Sequence, residues 1–225
     1  LGLGSVRFHK QEIPEGTIRC SRILKRPSGW HLCLVIAADP IAIPHKADAL
    51  VGIDPGFNHL LVLSSGVKVD HPRELEATAK RLGQAQRGND QRLAARLNER
   101  AANQRNDRNH KLSRALVESC SDIYFSKDPH TAIAKKFGKS VTSSSHAQLR
   151  SMLAYKCTAS GRRYVEGASK NSTRTCSACG HLTGPAGRAG LSVRFWRCSE
   201  CGADHDRDVN AAQNTLKSGL DEPTK

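Results

Sequence analysis

No stretch of eighteen apolar residues occurs in the 225-residue chain, which argues against an apolar membrane-spanning helix. No basic segment followed by an apolar core opens it, so no secretory signal peptide is visible and a cytoplasmic location is expected. There is also no initiator Met. The chain starts LGLGSVRF, and a truncated N-terminus is expected. Acidic residues are in short supply: 21 Asp and Glu face 35 Lys and Arg, a formal charge of +14. Such an excess favours a polyanionic partner, because each neutralised phosphate releases counterions. A merely soluble basic surface is the alternative. The length suits one large domain, or one domain with a small module.

Eight cysteines are present. Cys20, Cys33, Cys120 and Cys157 are scattered, while Cys176, Cys179, Cys198 and Cys201 form CSAC-x18-CSEC. Paired CxxC motifs in a chain without secretory features point to metal rather than to a disulfide framework. Each pair offers two thiolates from one tight turn, and two turns complete a tetrahedron. Gly180 and Gly202 follow the second cysteine of each pair and permit the turn that aims backbone N–H groups at sulfur. A redox CxxC would be single and would open a helix. Four thiolates leave no open coordination position, so the expected zinc is structural.

Several elements can be read along the chain. GTIRCSRILKRPSGWHLCLVIAA carries two alternating apolar runs around a turn cluster and predicts a β-hairpin. ALVGI is an unbroken apolar run, as a central strand requires, and HLLVLSSGVKV predicts two short strands about SSG. Residues 73–118 predict two long helices broken at GND. Eleven basic and five acidic residues lie between Arg73 and Arg114, a balance of +6. That stretch reads as a phosphate-facing helical surface, with Arg92, Arg96, Arg100 and Arg105 as candidate nucleic-acid contacts; a solvated helix face is the alternative. DIYFS and RRYVEG predict strands, HAQLRSMLAYKCTASG a helix closed by Gly161, and DVNAAQNTLKSGL a last helix.

Two acidic positions stand out. Asp54 ends the apolar strand just before PG, a rigid place from which to hold a divalent cation. Asp206 and Asp208 stand at the entrance of the last helix, where a carboxylate also suits the helix cap and dipole. Taken singly, each has an ordinary structural explanation.

In the order VGIDPG, NQRNDRNHKLSRALV, DIYF, SMLAYKC, TRTCSACG, CSECG and HDRDVNAAQNTL, the chain resembles the C-terminal half of the TnpB proteins, the OrfB products of insertion sequences. These are relatives of compact type V CRISPR effectors. The resemblance implies an α/β, RNase H-like (RuvC-type) core with an inserted helical hairpin and a four-cysteine zinc ribbon, preceded by a β-rich remnant. It implies residues 1–45 as the end of a β-barrel (wedge) domain, 46–171 as nuclease core including the basic hairpin 73–118, 172–205 as ribbon, 206–220 as the final core segment and 221–225 as tail. It further implies DNA and guide RNA as partners, no membrane, and DNA cleavage with Mg²⁺, Asp54 and Asp208 matching the first and third carboxylates of the site. The middle carboxylate of the family pattern is missing: the matching position is Ser126, or in an alternative alignment Ser169. Asp128 and Glu166 are the nearby acids that could substitute. An active nuclease and a nuclease-dead zinc-ribbon protein that holds RNA and DNA both remain open.

Overall fold

The computed structural model describes residues 7–9, 12–39, 43–56, 58–71, 74–127, 145–168, 170–190 and 192–221. They fall into two compact units. The first unit comprises 1–42 with 77–103, and the second 43–76 with 104–225. No helix among the described residues is long and apolar enough to cross a membrane.

In the first unit, β1 (Thr17–Arg26) and β2 (Gly29–Ala37) pair antiparallel, as the two alternating runs predict. The turn between them is positioned from the helices. The Ser28 backbone N–H and hydroxyl both donate to the Glu99 carboxylate, at 2.8 and 2.9 Å, and the Arg96 Nε donates to the Pro27 carbonyl at 3.3 Å. Helix α1 (Glu74–Arg87) ends at Gly88, and Asp90 caps α2 (Gln91–Ser119) by accepting from the Leu93 N–H at 2.9 Å. The predicted break at GND is therefore a helix stop followed directly by an N-cap. These helices begin in one unit and end in the other.

The second unit is built on a five-stranded sheet ordered β5-β4-β3-β6-β7. Its strands are β3 (Ala49–Pro55), β4 (His59–Leu63), β5 (Lys68–Asp70), β6 (Cys120–Lys127) and β7 (Arg163–Ala168). β3 pairs antiparallel with β4 and parallel with β6, and β6 pairs parallel with β7. The unbroken apolar run of β3 is explained by its central place, covered on both faces. On one face Val51, Ile53, Ile123 and Phe125 meet Leu116 and Val117 of α2 and Leu149, Leu153 and Cys157 of α3 (His146–Ala159) in one apolar cluster. Helix α3 ends as expected, with Gly161 at φ +64° just past it. On the other face lies the last helix, α5 (Arg207–Leu220). It approaches the sheet closely. A Cβ on Gly52 would sit 2.7 Å from the Leu216 backbone nitrogen, and one on Gly219 would overlap the Tyr124 ring.

Between β7 and α5 the chain forms a short helical turn, α4 (Gly187–Gly190), and a two-stranded sheet of β8 (Phe195–Arg197) and β9 (Asp204–Asp206). The stretch GPAGRAG between the two cysteine pairs thus contains a helical turn, closed by the Gly190 N–H donating to the Ala186 carbonyl at 3.2 Å.

Candidate metal centre and carboxylate face

The two CxxC turns have the same construction. In each, the glycine after the second cysteine donates its N–H to the carbonyl of the first: Gly180 to Cys176 at 2.9 Å and Gly202 to Cys198 at 3.0 Å. The first cysteine in turn donates to the residue after that glycine, Cys176 to His181 at 2.8 Å and Cys198 to Ala203 at 2.9 Å. Closing so tightly requires positive φ at both glycines, +81° and +74°. The four sulfurs converge, all within 4.8 Å of one another, with Cys176–Cys201 at 3.7 Å and Cys179–Cys198 at 3.6 Å. A tetrahedron of thiolates about 2.3 Å from a zinc ion has edges of about 3.8 Å, so the donor set fits such an ion. No disulfide joins any of the eight cysteines. The Thr183 hydroxyl, 3.2 Å from Cys198 Sγ, and then the Cys201 N–H draw the Cys198 thiol down to about 5. Cys157 is the opposite case: burial pushes its thiol up to about 11, and it serves as apolar filling.

The first cysteine turn is fastened to α5 by side chains that the sequence did not single out. Asn210 accepts from the Ser177 N–H at 2.8 Å and donates to the Ser172 and Thr175 carbonyls at 3.1 and 2.8 Å. Asn214 donates to the same two carbonyls at 2.7 Å each, Gln213 accepts from the Ser177 hydroxyl at 2.7 Å, and Lys217 donates to the Ser177 carbonyl. Asn210 is almost fully buried, so these bonds also satisfy amide groups that would be costly if left bare. The only available signal was the polar spacing 210, 213, 214, 217 within the expected last helix.

Register decides which acids share a face. Asp54 pairs with Val62, and Val62 with Lys68, so Asp54, Val62 and Lys68 lie on one line across the sheet. The Lys68 ammonium reaches Asp206 at 2.6 Å. Asp206 is the N-cap of α5, accepting from the N–H groups of Asp208 and Val209 at 3.0 and 3.1 Å. Asp54 also lies two residues beyond Gly52, against which α5 packs. Asp54 and the helical turn carrying Asp208 therefore stand at the same end and on the same face of the sheet. Burial opposes ionisation of Asp206, but Lys68 and the two cap N–H groups outweigh it, and its carboxyl is held below its usual value. Asp208 faces the Arg194 guanidinium at 3.6 Å, and the Asn58 side-chain oxygen accepts from that same guanidinium.

The same register locates the other candidates. Ile53 pairs with Phe125, so the next residue, Ser126, stands beside Asp54 on the α5 face. Ser126 is fully buried, and its hydroxyl has no hydrogen-bond partner among the described residues. Glu166 pairs with Phe125 and so lies on the opposite, α3 face. There it accepts from the Tyr164 hydroxyl at 3.0 Å and faces Arg150 of α3 at 3.7 Å. Strand alternation thus keeps Glu166 away from the face that carries Asp54. Asp128 and Ser169 lie outside the described residues. Among the described residues, the four cysteines are the one group of three or more potential metal ligands drawn together. Arg92, Arg96 and Arg100 are exposed and recur at four-residue spacing along one face of α2, while Arg105 is half-buried.

A mixed α/β sheet with a four-cysteine module inserted ahead of its last helix defines the class of protein. Comparisons with known proteins carry this further. The profile of a "Probable transposase" family matches residues 34–127, and that of "Cas12f1-like, TNB domain" matches 146–215. The chain belongs to the TnpB/OrfB family. It is 34% identical over 227 aligned positions to a protein of Streptomyces pristinaespiralis described as "Putative RNA-guided DNA endonuclease", with 92% of this chain and 55% of that protein covered. It is 24% identical to "Putative RNA-guided DNA endonuclease InsQ" of Escherichia coli strain K12, covering 96% of this chain and 60% of that one. The chain therefore spans little more than half the length of these relatives. Among solved structures, it superposes on that of a Cas12f1–sgRNA–target DNA complex with a TM-score of 0.60 at 19% identity, covering 88% of this chain and 56% of the other. At that identity the likeness speaks for the fold.

Proposed function

We propose that this chain is the C-terminal portion of a TnpB-like RNA-guided DNA endonuclease, with an RNase H-like (RuvC-type) core and a structural zinc ribbon at 172–205. The observation that carries the reading is the placing of Asp54 and the first turn of α5, with Asp208, at one end of one sheet face. DNA and guide RNA are the partners this implies, in keeping with the charge of +14 and with the descriptions of the relatives. Domain limits follow the sequence reading: a wedge-like remnant at 1–45, the core at 46–171 and its final segment at 206–220. Zinc would be closed in by Cys176, Cys179, Cys198 and Cys201 and would not take part in chemistry. Mg²⁺, if bound, would be held by Asp54 and Asp208, and it would supply Lewis acidity and an activated water. Asp206 serves that site indirectly, by fixing the backbone of the turn that carries Asp208.

Charge reversal tests the polyanion-binding half of the reading. Arg92→Glu, Arg96→Glu and Arg100→Glu together should weaken binding of an oligonucleotide and lower the slope of log K against log salt by about 2–3. An unchanged slope would mean that this helix face does not meet phosphate.

A second reading, a nuclease-dead RNA- and DNA-binding protein, is favoured by Ser126. A serine hydroxyl stands beside Asp54, where the family pattern has a carboxylate, and among the described residues no three carboxylates are drawn together as a metal site. The unmodified chain should then cut a single-stranded oligonucleotide slowly or not at all with Mg²⁺, and Ser126→Glu should raise the rate. Rapid cutting by the unmodified chain, lost on Asp54→Asn, would sink the dead-site reading. A Ser126→Glu chain that binds DNA but remains as slow as the unmodified one would count against Ser126 as the missing position.

A further inference from the structure

Two of the four sulfurs meet polar side chains. Cys198 Sγ lies 3.2 Å from the Thr183 hydroxyl. Cys176 meets a ring nitrogen. His205 Nε2 lies 3.0 Å from Cys176 Sγ, and His205 is 9% exposed. A metal-bound thiolate carries no proton, so the hydrogen between the two atoms must belong to the imidazole. The ring is fixed from its other side by Trp196, its cross-strand partner, with ring centroids 4.6 Å apart.

We infer that His205 is a positioning residue of the four-cysteine centre: its Nε2–H donates to the Cys176 thiolate and ties the first cysteine turn to β9. The inference rests on reading the four cysteines as a zinc site. Two effects follow from the one bond. It withdraws electron density from the sulfur, which stabilises a cluster that carries an excess of negative charge with four thiolates on one divalent ion. It also anchors the strand whose next residue is Asp206, the cap that holds the N–H groups of Asp208 and Val209. The thiolate centre and the first turn of α5 are thus connected through two consecutive residues of one short strand. Asn210 makes a second tie from the body of the same helix to the same cysteine turn.

The test uses the full chain loaded with Co²⁺ in place of Zn²⁺, whose thiolate-to-cobalt charge-transfer band reports on sulfur directly. His205→Phe keeps an aromatic ring against Trp196 and removes the donor, whereas His205→Gln keeps a donor and removes the ring. His205→Phe should move the band to longer wavelength and speed metal release to a chelator by about 10–100-fold. It should also speed amide exchange at Asp208 and Val209. His205→Gln should remain close to the unmodified chain in all three. On the unmodified chain loaded with Zn²⁺, nitrogen NMR should find a proton on Nε2 of His205, a measurement independent of how either variant folds. An Nδ1–H tautomer would overturn the inference, as would a His205→Phe chain with unchanged band and release. Equal damage in both variants would assign His205 to packing alone and overturn it too. An unmodified chain that takes up cobalt without any thiolate band would remove the zinc reading itself, a failure recognisably different from the others.

Discussion

The two faces of the five-stranded sheet are made from the same strands and differ in almost every other respect. On the α3 face, Ile53, Ile123 and Phe125 interlock with Leu149, Leu153 and Cys157, and large side chains fill the space. On the α5 face the helix offers Ala211, Ala212, Thr215 and Gly219, and the strands answer with Gly52, Tyr124 and the buried hydroxyl of Ser126. One face gains its stability from apolar volume. The other sacrifices volume for proximity, letting the helix backbone descend onto the sheet. That proximity is what sets the first turn of α5, with Asp208, over the end of β3, where Asp54 stands. The comparison shows how one sheet can divide its labour: a packed side that holds the fold, and a sparsely filled side that holds charged groups at a fixed height.

Substitutions can break this division from either side. Phe125→Ala empties a fully buried position of the packed face and should cost about 3–5 kcal/mol in a denaturant titration. It should unfold the second unit without first loosening the four-cysteine cluster. Gly52→Ala attacks the other face in the opposite sense, by adding a carbon where the helix backbone already lies, and should cost about 1–3 kcal/mol. The comparison would fail if Gly52→Ala proved neutral, because the close approach would then carry no cost. The smallest effect is expected at the edge of the polar face. Asp206→Ala removes the cap and the Lys68 partner together and should cost about 0.5–2 kcal/mol at neutral pH. Because the Asp206 carboxyl is held below its ordinary value of 3.8 in the folded chain, its contribution is complete above that value and is lost as pH falls through the lower, folded one. The difference in stability between the unmodified chain and Asp206→Ala should therefore shrink on acidification below about pH 4, and a difference that grew instead would contradict the assignment.

Local patterns carried much of this architecture into the sequence. The apolar run ALVGI became the central strand, the runs around RPSG became a hairpin, and GND became a helix stop and cap. The paired CxxC turns were legible for the same reason: each is made by six consecutive residues, and only their convergence is long-range. What could not be read was parity. Whether Glu166 or Ser126 shares a face with Asp54 depends on how β3, β6 and β7 align, and a shift of one residue would exchange the faces. No local feature of RRYVEG encodes that alignment. His205 escaped notice for a related reason. Next to the acids of DHDRD it reads as one more polar residue at a helix entrance, and only the pairing of β9 with β8 turns it toward Cys176.

The close fit of Gly52 against Ala212 and Leu216 also orders events in time. As the chain leaves the ribosome, everything needed to cover the α3 face has emerged by Cys157, whereas the cover for the opposite face arrives only with residues 207–220. Until then the nascent sheet is a one-sided body, with Tyr124 and the glycine groove of β3 open to water. Its final closure joins segments from far apart in the chain, the kind of contact whose loop-closure cost makes docking slow.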